Sequence, residues 1–238
     1  MPDVCVVIPT YNEAENIENI INKVLTVAGS SVIVVDDGSP DGTSEVVEKI
    51  AQRDPRVRLL NRGRKMGLGS AYRDGFRLAL ESKADVIVSM DADGSHPPEL
   101  IPRLVKALGE DADVAVASRY VSGGSWSAGR GRMVVSRGAN LLARVCTGVR
   151  LRDMTSGFRA YRSRAVESLI GEEFPTGYVF QVEAIYRLVR RGFKVVEIPF
   201  IFTERVSGRS KLSTVEIIRF ITACLKILAS RITGEDRR

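Results

Sequence analysis

The chain has 238 residues, of which 44% are hydrophobic and 27% charged, and its formal net charge is +6 at pH 7. This length fits one large α/β domain with ample core, and the composition is that of a soluble globule rather than a low-complexity chain. Three scattered cysteines, Cys5, Cys146 and Cys224, are odd in number and lack metal-type spacing. They predict reduced core thiols and argue against a disulfide framework.

The amino-terminal half alternates short apolar runs with helical periodicity, which predicts βαβ units and a mostly parallel sheet. Strands are predicted at Val4–Ile8, Val32–Val35, Val57–Leu60, Val86–Met90 and Val114–Ser118. Helices are predicted after the first strand, from Thr43, over Leu68–Leu80 and from near Pro98. Because ligands of such sheets bind beyond the carboxyl ends of the strands, we expect a crevice of nucleotide size at that edge.

Two acids follow the fourth predicted strand, in the sequence Asp91-Ala92-Asp93. On an extended backbone they would point to opposite sides, but Gly94 and the following prolines predict a turn that brings them together. Two converging carboxylates suit Mg²⁺ or Mn²⁺, whose remaining ligands are commonly substrate phosphates. The alternative is an acidic loop that only caps the helix near Pro98.

Polar residues also follow the first two predicted strands. The loop Pro9-Thr10-Tyr11-Asn12-Glu13 and the loop from Asp36 to Thr43 are expected at the same edge as the two acids. Glu13 could instead lie in the first turn of a helix, where its charge favours the helix dipole. The second loop could be only a turn and a helix cap. We expect Asp37 in the pocket and Asp41 in a structural role.

The segment from Arg119 to Arg164 contains ten arginines and one acid, Asp153. Arginine suits bidentate recognition of phosphate, so the segment predicts a phosphorylated or membrane-bound substrate, or nucleic acid. Nucleic acid is the weaker alternative because no reading motif is present. Glycines make Tyr120–Arg132 resemble a flexible loop, which beside an acidic site suits a lid over phosphates.

The ordered motifs of the chain resemble those of the dolichyl- and polyprenyl-phosphate mannosyltransferases of glycosyltransferase family 2, through about residue 230. The motifs are Pro9–Glu13, Asp36–Thr43, Asp91–Asp93, Ser118–Tyr120, Ser136–Asn140, Thr155–Arg159 and Arg205–Lys211. The resemblance implies a single Rossmann-like nucleotide-sugar-binding domain of the GT-A type over residues 1–213. Residues 214–238 would form a carboxyl-terminal amphipathic helix and tail.

The resemblance further implies transfer of mannose from GDP-mannose to a dolichyl or polyprenyl phosphate, with inversion at the sugar carbon. Asp91 and Asp93 would hold Mg²⁺ or Mn²⁺, and Ser95 stands where some relatives place a glutamine near the metal. The residues implied to bind the nucleotide sugar are Pro9, Tyr11, Glu13, Val35, Asp37, Asp91, Ala92, Asp93, Arg119, Arg205 and Lys211. The catalytic set would be Asp91, Asp93, Arg119, Arg205 and Lys211. The acceptor phosphate would contact Arg119, Arg132 and Ser136.

The acceptor in this reaction needs no general base, because the second pKa of a phosphate monoester is about 6 and much of it is dianionic near pH 7. The one histidine of the sequence, His96, precedes two prolines and is interpreted as a structural turn residue. Two alternatives remain open. One is a related transferase that uses another nucleotide sugar, such as UDP-glucose, or another lipid acceptor. The other is a basic nucleic-acid-binding module whose acids are structural.

The carboxyl-terminal segment Thr214–Ile232 has helical periodicity with a polar stripe and a wide apolar face. No uninterrupted apolar stretch approaches the ~20 residues needed to cross a bilayer. The pattern favours an in-plane helix at a membrane surface, although packing on the globular core or on a small membrane partner subunit would also explain it. With no signal peptide expected before Val4, the sequence predicts a cytoplasmic protein, peripheral on the cytoplasmic face of a membrane.

Overall fold

The computed structural model describes residues 2–127, 129–171, 177, 179–203 and 214–233. Its main sheet has seven strands, in the order β3-β2-β1-β4-β7-β5-β8. These strands are β1 (Val4–Thr10), β2 (Ser30–Asp36), β3 (Val57–Asn61), β4 (Val86–Ser89), β5 (Val114–Ser118), β7 (Arg159–Arg162) and β8 (Val195–Pro199). A second sheet pairs β6 (Ser125–Trp126) with β9 (Ile201–Phe202).

Eight helices accompany these strands in the described parts of the chain. They are α1 (Ala14–Leu25), α2 (Thr43–Ala51), α3 (Leu68–Glu81), α4 (Ile101–Leu108), α5 (Arg130–Thr147), α6 (Ser163–Ile170), α7 (Val179–Arg190) and α8 (Thr214–Thr233). A short 3-10 turn, Pro98–Leu100, leads into α4. The predicted strands and helices of the amino-terminal half are therefore confirmed, with ends that differ by a few residues.

The predicted mostly parallel sheet is confirmed, and its one antiparallel member is β7. Strands β1, β2, β3 and β4 pair in parallel, as do β5 and β8, while β7 lies antiparallel between β4 and β5. Because β7 is antiparallel to both of its neighbours, β4 and β5 run in the same direction. The carboxyl ends of six strands consequently share one edge, which we call the site edge.

The core lies on both faces of the sheet because the strands are apolar on both sides. Along β1, Val6 and Ile8 pack with α1 on one face, and Cys5 and Val7 pack with Tyr72 of α3 on the other. This two-sided burial is typical of strands covered by helices. Each fully buried aliphatic side chain contributes about 1.5–3 kcal/mol, which holds the loops of the site edge on a rigid base.

Strand β7 was not predicted because its sequence carries arginine at both ends and no apolar run. Arg159 is fully buried, yet its guanidinium donates to the backbone carbonyls of Gln181 at 2.8 Å and Met154 at 2.9 Å. These hydrogen bonds offset part of the cost of burying the charge, although Nε has no partner among the described residues. Arg159 thus ties β7 to α7 instead of facing solvent.

The predicted loop over Tyr120–Arg132 is shorter than expected. Strand β6 lies inside it and α5 begins at Arg130. Trp126 stacks on Phe202 of β9, with ring centroids 4.5 Å apart and planes 18° apart. Since the stacking and the strand pairing hold this segment, Trp126 is a loop anchor.

Helix α8 packs on the core with one side and leaves apolar residues exposed on another. Cys224 and Ile227 are buried, and Arg231 donates to the carbonyl of Cys146 at 2.7 Å, which joins α8 to α5. Exposed apolar residues on these two helices, which we call the α5–α8 surface, are Val134, Val135, Leu141, Val145, Val215, Ile217, Ile218, Ile221, Leu225 and Ile232. Within the parts of the chain that the structure describes, every helix is too short or too polar to cross a membrane.

Candidate active site

The turn after β4 carries the two acids predicted to bind a metal. The side chain of Asp91 is 38% exposed, whereas Asp93 is buried. Asp93 Oδ1 accepts hydrogen bonds from the backbone N–H of Ser95 at 3.0 Å and from the Ser95 hydroxyl at 2.6 Å. Gly94 has a φ of +79°, a conformation that favours glycine, so the predicted turn at Gly94 is confirmed.

The rings of His96 and Tyr72 both lie next to Asp91. Its backbone N–H donates to His96 Nδ1 at 3.0 Å, which assigns the ring proton to Nε2, 3.9 Å from Asp91 Oδ2. The His96 ring stacks on Phe158 with centroids 5.0 Å apart. The hydroxyl of Tyr72 donates to Asp91 Oδ1 at 3.2 Å. Burial, and next the charge of Asp91, raise the pKa of Tyr72 well above its ordinary value.

These contacts agree with the interpretation of His96 as a structural residue, because one ring nitrogen is bonded to the backbone and the ring is packed in the core. The carboxylates suit a hard divalent cation. Over the described residues, no group of three or more His, Cys, Asp or Glu side chains could hold a metal ion. Asp91 and Asp93 are the two carboxylates of this turn that would hold such a cation.

The loops after β1 and β2 are tied together by the buried carboxylate of Asp36. Thr10 is the register partner of Asp36, and its hydroxyl donates to Asp36 Oδ1 at 2.8 Å. The hydroxyls of Ser39 and Ser44 donate to the same carboxylate at 2.5 and 2.8 Å. The carboxylate of Asp36 thus holds the two loops together, and these hydrogen bonds leave it few acceptor sites for a ligand.

Four residues predicted to line the nucleotide pocket lie at the ends of β1 and β2 or in the loop after β1. Pro9 and Val35 are register partners on β1 and β2, and Val35 is fully buried. The ammonium group of Lys65 lies 4.2 Å from the ring centroid of Tyr11. Glu13 immediately precedes α1 and is mostly buried. The structure brings all four to the site edge, and their contact with a nucleotide stays a prediction.

Asp37 stands at the site edge, but its oxygens already have partners. Arg62 donates to Asp37 Oδ1 through Nε at 2.6 Å and also through Nη2, and the N–H groups of Met66 and Gly67 donate to Oδ2 at 3.1 and 2.9 Å. The carboxylate thereby shapes the entry to α3. Asp41 accepts a hydrogen bond from the first N–H of α1 at 3.0 Å, so its structural interpretation is confirmed.

Arg119, at the end of β5, forms a buried ion pair with Asp153. Arg119 Nε and Nη2 each donate to one oxygen of Asp153 at 2.7 Å, and Nη2 also donates to the Thr155 hydroxyl at 2.8 Å. Burial alone would lower the pKa of Arg119, but the hydrogen bonds and charge of Asp153 outweigh it and raise that pKa. Burial alone would likewise raise the pKa of Asp153, yet Arg119 holds it below its ordinary value.

The predicted acceptor-phosphate residues on α5 are linked to this ion pair. Ser136 accepts a hydrogen bond from the hydroxyl of Tyr120 at 2.8 Å. Asn140, one turn further, donates to the Thr155 hydroxyl at 2.9 Å. Arg132 is exposed and lies one turn before Ser136, on the same side of the helix. Hydrogen bonds therefore connect the region of Arg119 with the start of α5.

Two predicted site residues, Arg205 and Lys211, lie outside the described residues. The sequence analysis gave no role to Tyr72 or Asn140, and none to Asp153 beyond its isolation. For Asp153 a signal was available, because a single acid among ten arginines is a natural ion-pair partner. Asn140 stands in the motif Ser136–Asn140, but its hydrogen bond to Thr155 depends on how α5 packs. For Tyr72 no signal existed, since its partner Asp91 is distant in sequence and the contact depends on the packing of α3.

The sequence of the chain is similar to those of known proteins. The family model described as "Glycosyl transferase family 2" matches residues 5–170. The chain is 44% identical over 216 residues to a polyprenol monophosphomannose synthase of Mycolicibacterium smegmatis, which covers 87% of this chain and 80% of that protein. It is 43% identical over 215 residues to an undecaprenyl-phosphate mannosyltransferase of Micrococcus luteus, covering 88% of this chain and 87% of that protein.

Solved structures share the fold at lower identity. Glucosyl-3-phosphoglycerate synthase from Mycobacterium tuberculosis, in complex with Mn²⁺, UDP and phosphoglyceric acid, aligns with a TM-score of 0.70 at 22% identity, over 97% of this chain and 78% of that one. A mannosyltransferase from Pyrobaculum calidifontis, in complex with GDP-Man and Mn²⁺, aligns with a TM-score of 0.61 at 22% identity. That alignment covers 88% of this chain and 58% of the other. At these identities the likeness shows the fold alone.

Proposed function

Because the chain belongs to glycosyl transferase family 2, we propose that it transfers mannose from GDP-mannose to a polyprenyl or dolichyl phosphate, with inversion at the sugar carbon. The observation that carries the proposal is the pair Asp91 and Asp93 at the site edge, in a chain 43–44% identical to two polyprenyl-phosphate mannose-forming enzymes. Both relatives are named for the product or reaction proposed here.

Asp91 and Asp93 would hold Mg²⁺ or Mn²⁺ against the donor diphosphate. When bound, the cation supplies Lewis-acid stabilisation of the negative charge that develops on the leaving GDP. The partly exposed carboxylate of Asp91 could reach a cation that carries the diphosphate, and two hydrogen bonds from Ser95 hold the carboxylate of Asp93. The proposed contribution of the chain is to hold two oxygen ligands in place before the donor arrives.

Arg132 and Ser136 would bind the phosphate of the acceptor. They follow each other by one turn near the start of α5, so one anion could contact both. Arg119 would lie close to the acceptor phosphate. Its guanidinium is paired with Asp153, so that pair would set the position of Arg119 beside the phosphate. Since the acceptor phosphate is largely dianionic near pH 7, the attacking oxygen needs no base from the protein.

The α5–α8 surface would bring the enzyme to the membrane that holds its lipid acceptor. Exposed apolar side chains on two packed helices suit shallow insertion into the headgroup region. Arginines on α5 would add attraction to anionic headgroups. The protein would then lie at the cytoplasmic face of the membrane, where GDP-mannose would be supplied. As an alternative, the same surface could bind a small membrane subunit.

The test is transfer of label into the organic phase. Purified protein is incubated with labelled GDP-mannose, Mg²⁺ or Mn²⁺, and undecaprenyl or dolichyl phosphate in detergent. The proposal predicts a labelled lipid that is released by mild acid and that requires both metal and lipid phosphate. Label from UDP-glucose and none from GDP-mannose would overturn the mannose assignment. Tight duplex binding without any lipid product would favour the nucleic-acid alternative.

A further inference from the structure

Tyr72 is completely buried, yet its hydroxyl reaches the candidate metal site. It lies on α3, with its ring stacked on Phe180 at a centroid distance of 5.4 Å and an interplanar angle of 11°. A second ring, Phe76, lies 5.7 Å away. Within the described residues, the hydroxyl of Tyr72 donates a hydrogen bond to Asp91 Oδ1.

The packing of Tyr72 does not account for its hydroxyl. A phenylalanine would fill almost the same volume among these aromatic rings. A buried hydroxyl costs about 1–3 kcal/mol when it is poorly satisfied, and 3.2 Å is long for an O–H···O bond, whose usual length is about 2.7–2.8 Å. The hydroxyl therefore adds little to the stability of the fold, and its main effect falls on its partner.

Two hydrogen bonds hold that partner, and a histidine ring lies close to its other oxygen. Tyr72 donates to Asp91 Oδ1, the Asp91 backbone N–H donates to His96 Nδ1, and His96 Nε2 lies 3.9 Å from Asp91 Oδ2. A carboxylate with one oxygen bonded inward cannot rotate freely about its last torsion. Oδ1 is the oxygen bonded to the buried Tyr72, so Oδ2 is the oxygen that this bond leaves for another ligand, on a side chain that is 38% exposed.

We propose that Tyr72 is a positioning residue that fixes the rotation of the Asp91 carboxylate and presents Oδ2 alone to the divalent cation. The proposal rests on the proposed function, because it assumes that Asp91 is a metal ligand. It assigns Tyr72 no contact with the substrate and no proton transfer. Outer-shell hydrogen bonds of this kind orient ligands, and their loss typically weakens metal binding about 10–100-fold.

The test measures Mn²⁺ binding directly, without turnover. Free Mn²⁺ is followed by electron paramagnetic resonance as it is titrated into the protein with GDP present. Tyr72→Phe is expected to weaken Mn²⁺ about tenfold, while the melting temperature stays within about 4 °C of the wild-type value. Tyr161→Phe is the matched control, since Tyr161 is also fully buried and its hydroxyl contacts Arg159 at 3.4 Å rather than Asp91. This control should bind Mn²⁺ like the wild type.

Wild-type Mn²⁺ affinity in folded Tyr72→Phe would overturn the positioning role, and so would an equal loss in Tyr161→Phe. If Tyr72→Phe does not fold, 4-aminophenylalanine and 4-fluorophenylalanine at position 72 replace it, because both keep the ring's volume and only the first keeps a donor. Tighter Mn²⁺ binding with the amino group supports the proposal, and equal binding overturns it. Failure of the wild type itself to bind Mn²⁺ with GDP would instead remove the metal site and the proposed function with it.

Discussion

Two buried carboxylates of the site differ in what satisfies them. Asp153 is paired with Arg119 through both oxygens, whereas Asp93 accepts hydrogen bonds from Ser95 at one oxygen. The first pairing balances charge inside the protein. Asp93 stands two residues after Asp91 at the site edge, and carboxylate oxygens are the ligands that a divalent cation prefers. Substitution should therefore affect stability at Asp153 and turnover at Asp93.

Asp93→Asn should lower turnover about 100-fold or more, because several kcal/mol of stabilisation of the leaving group depend on the metal and each 1.4 kcal/mol is tenfold. The fold should persist, since the asparagine oxygen can still accept the hydrogen bonds from Ser95. Initial rates at saturating GDP-mannose and metal give the result. Asp111→Asn, at a side chain 90% exposed, is the matched control and should behave as the wild type. Metal-dependent activity close to normal in Asp93→Asn would contradict the ligand assignment.

Asp153→Asn should destabilise the protein by about 3–5 kcal/mol, because it leaves the buried guanidinium of Arg119 without its counter-charge. The lowered pKa of Asp153 gives the sign of the pH dependence. Stability from the pair is fully present above the unfolded carboxyl pKa of about 3.9 and is lost as pH falls through the lower folded pKa. Urea unfolding at pH 7 and at decreasing pH should show the difference between wild type and variant shrinking. A difference that grows on acidification would refute this account.

Arg132→Ala should raise the KM for the lipid phosphate more than the KM for GDP-mannose. A charge-assisted hydrogen bond contributes about 1.5–3 kcal/mol, which corresponds to roughly ten- to 100-fold in acceptor use. Arg137→Ala serves as the control, because it lies on the same helix but about 140° around it from Arg132. Equal damage to donor and acceptor kinetics in Arg132→Ala would remove its acceptor role.

At the scale of elements, the amino-terminal half could be predicted from sequence because each strand there is an apolar run bounded by turn residues. Val114–Ser118 matches β5 at both ends. The prediction did not extend to β7, where Arg159 is buried by hydrogen bonds to distant carbonyls, a cause that no local pattern reveals. The acids of the site could be predicted because they directly follow a strand. The pairing of Asp37 with Arg62 could not, since it depends on how the loop after β3 folds back.

The sequence pattern of α8 allowed either membrane contact or packing on the core. In the structure one side of the helix packs on the core, and the other side leaves apolar side chains exposed. Cys224 and Ile227 face the core, while Ile218 and Leu225 are more than half exposed. Replacing Ile218 and Leu225 together with serine should reduce co-sedimentation with anionic lipid vesicles about tenfold or more. Each exposed aliphatic side chain that becomes buried in lipid contributes about 1.5–3 kcal/mol.

Ile201→Ser is the control for this experiment, because Ile201 is also more than half exposed but lies on β9, outside the α5–α8 surface. Vesicle binding of the control should equal that of the wild type. If the double variant binds vesicles like the wild type while remaining folded, the α5–α8 surface is not the membrane contact.

At the scale of the whole molecule, the sheet explains why the proposed donor and acceptor sites are neighbours. Parallel strands bring Pro9, Asp37, Asp91 and Arg119 to one edge. Asn140 and Thr155 then connect α5, with Arg132 at its start, to the arginine of that edge. The donor diphosphate and the lipid phosphate would therefore meet over the carboxyl ends of β4 and β5, with the α5–α8 surface turned to the lipid.

The most direct test of this arrangement is anomalous diffraction from crystals grown with Mn²⁺ and GDP. The account predicts one manganese peak at the site edge, about 2 Å from Oδ2 of Asp91 and from a carboxylate oxygen of Asp93, with diphosphate oxygens completing its shell. A manganese peak elsewhere, or GDP bound at this edge with no metal at those two acids, would contradict it.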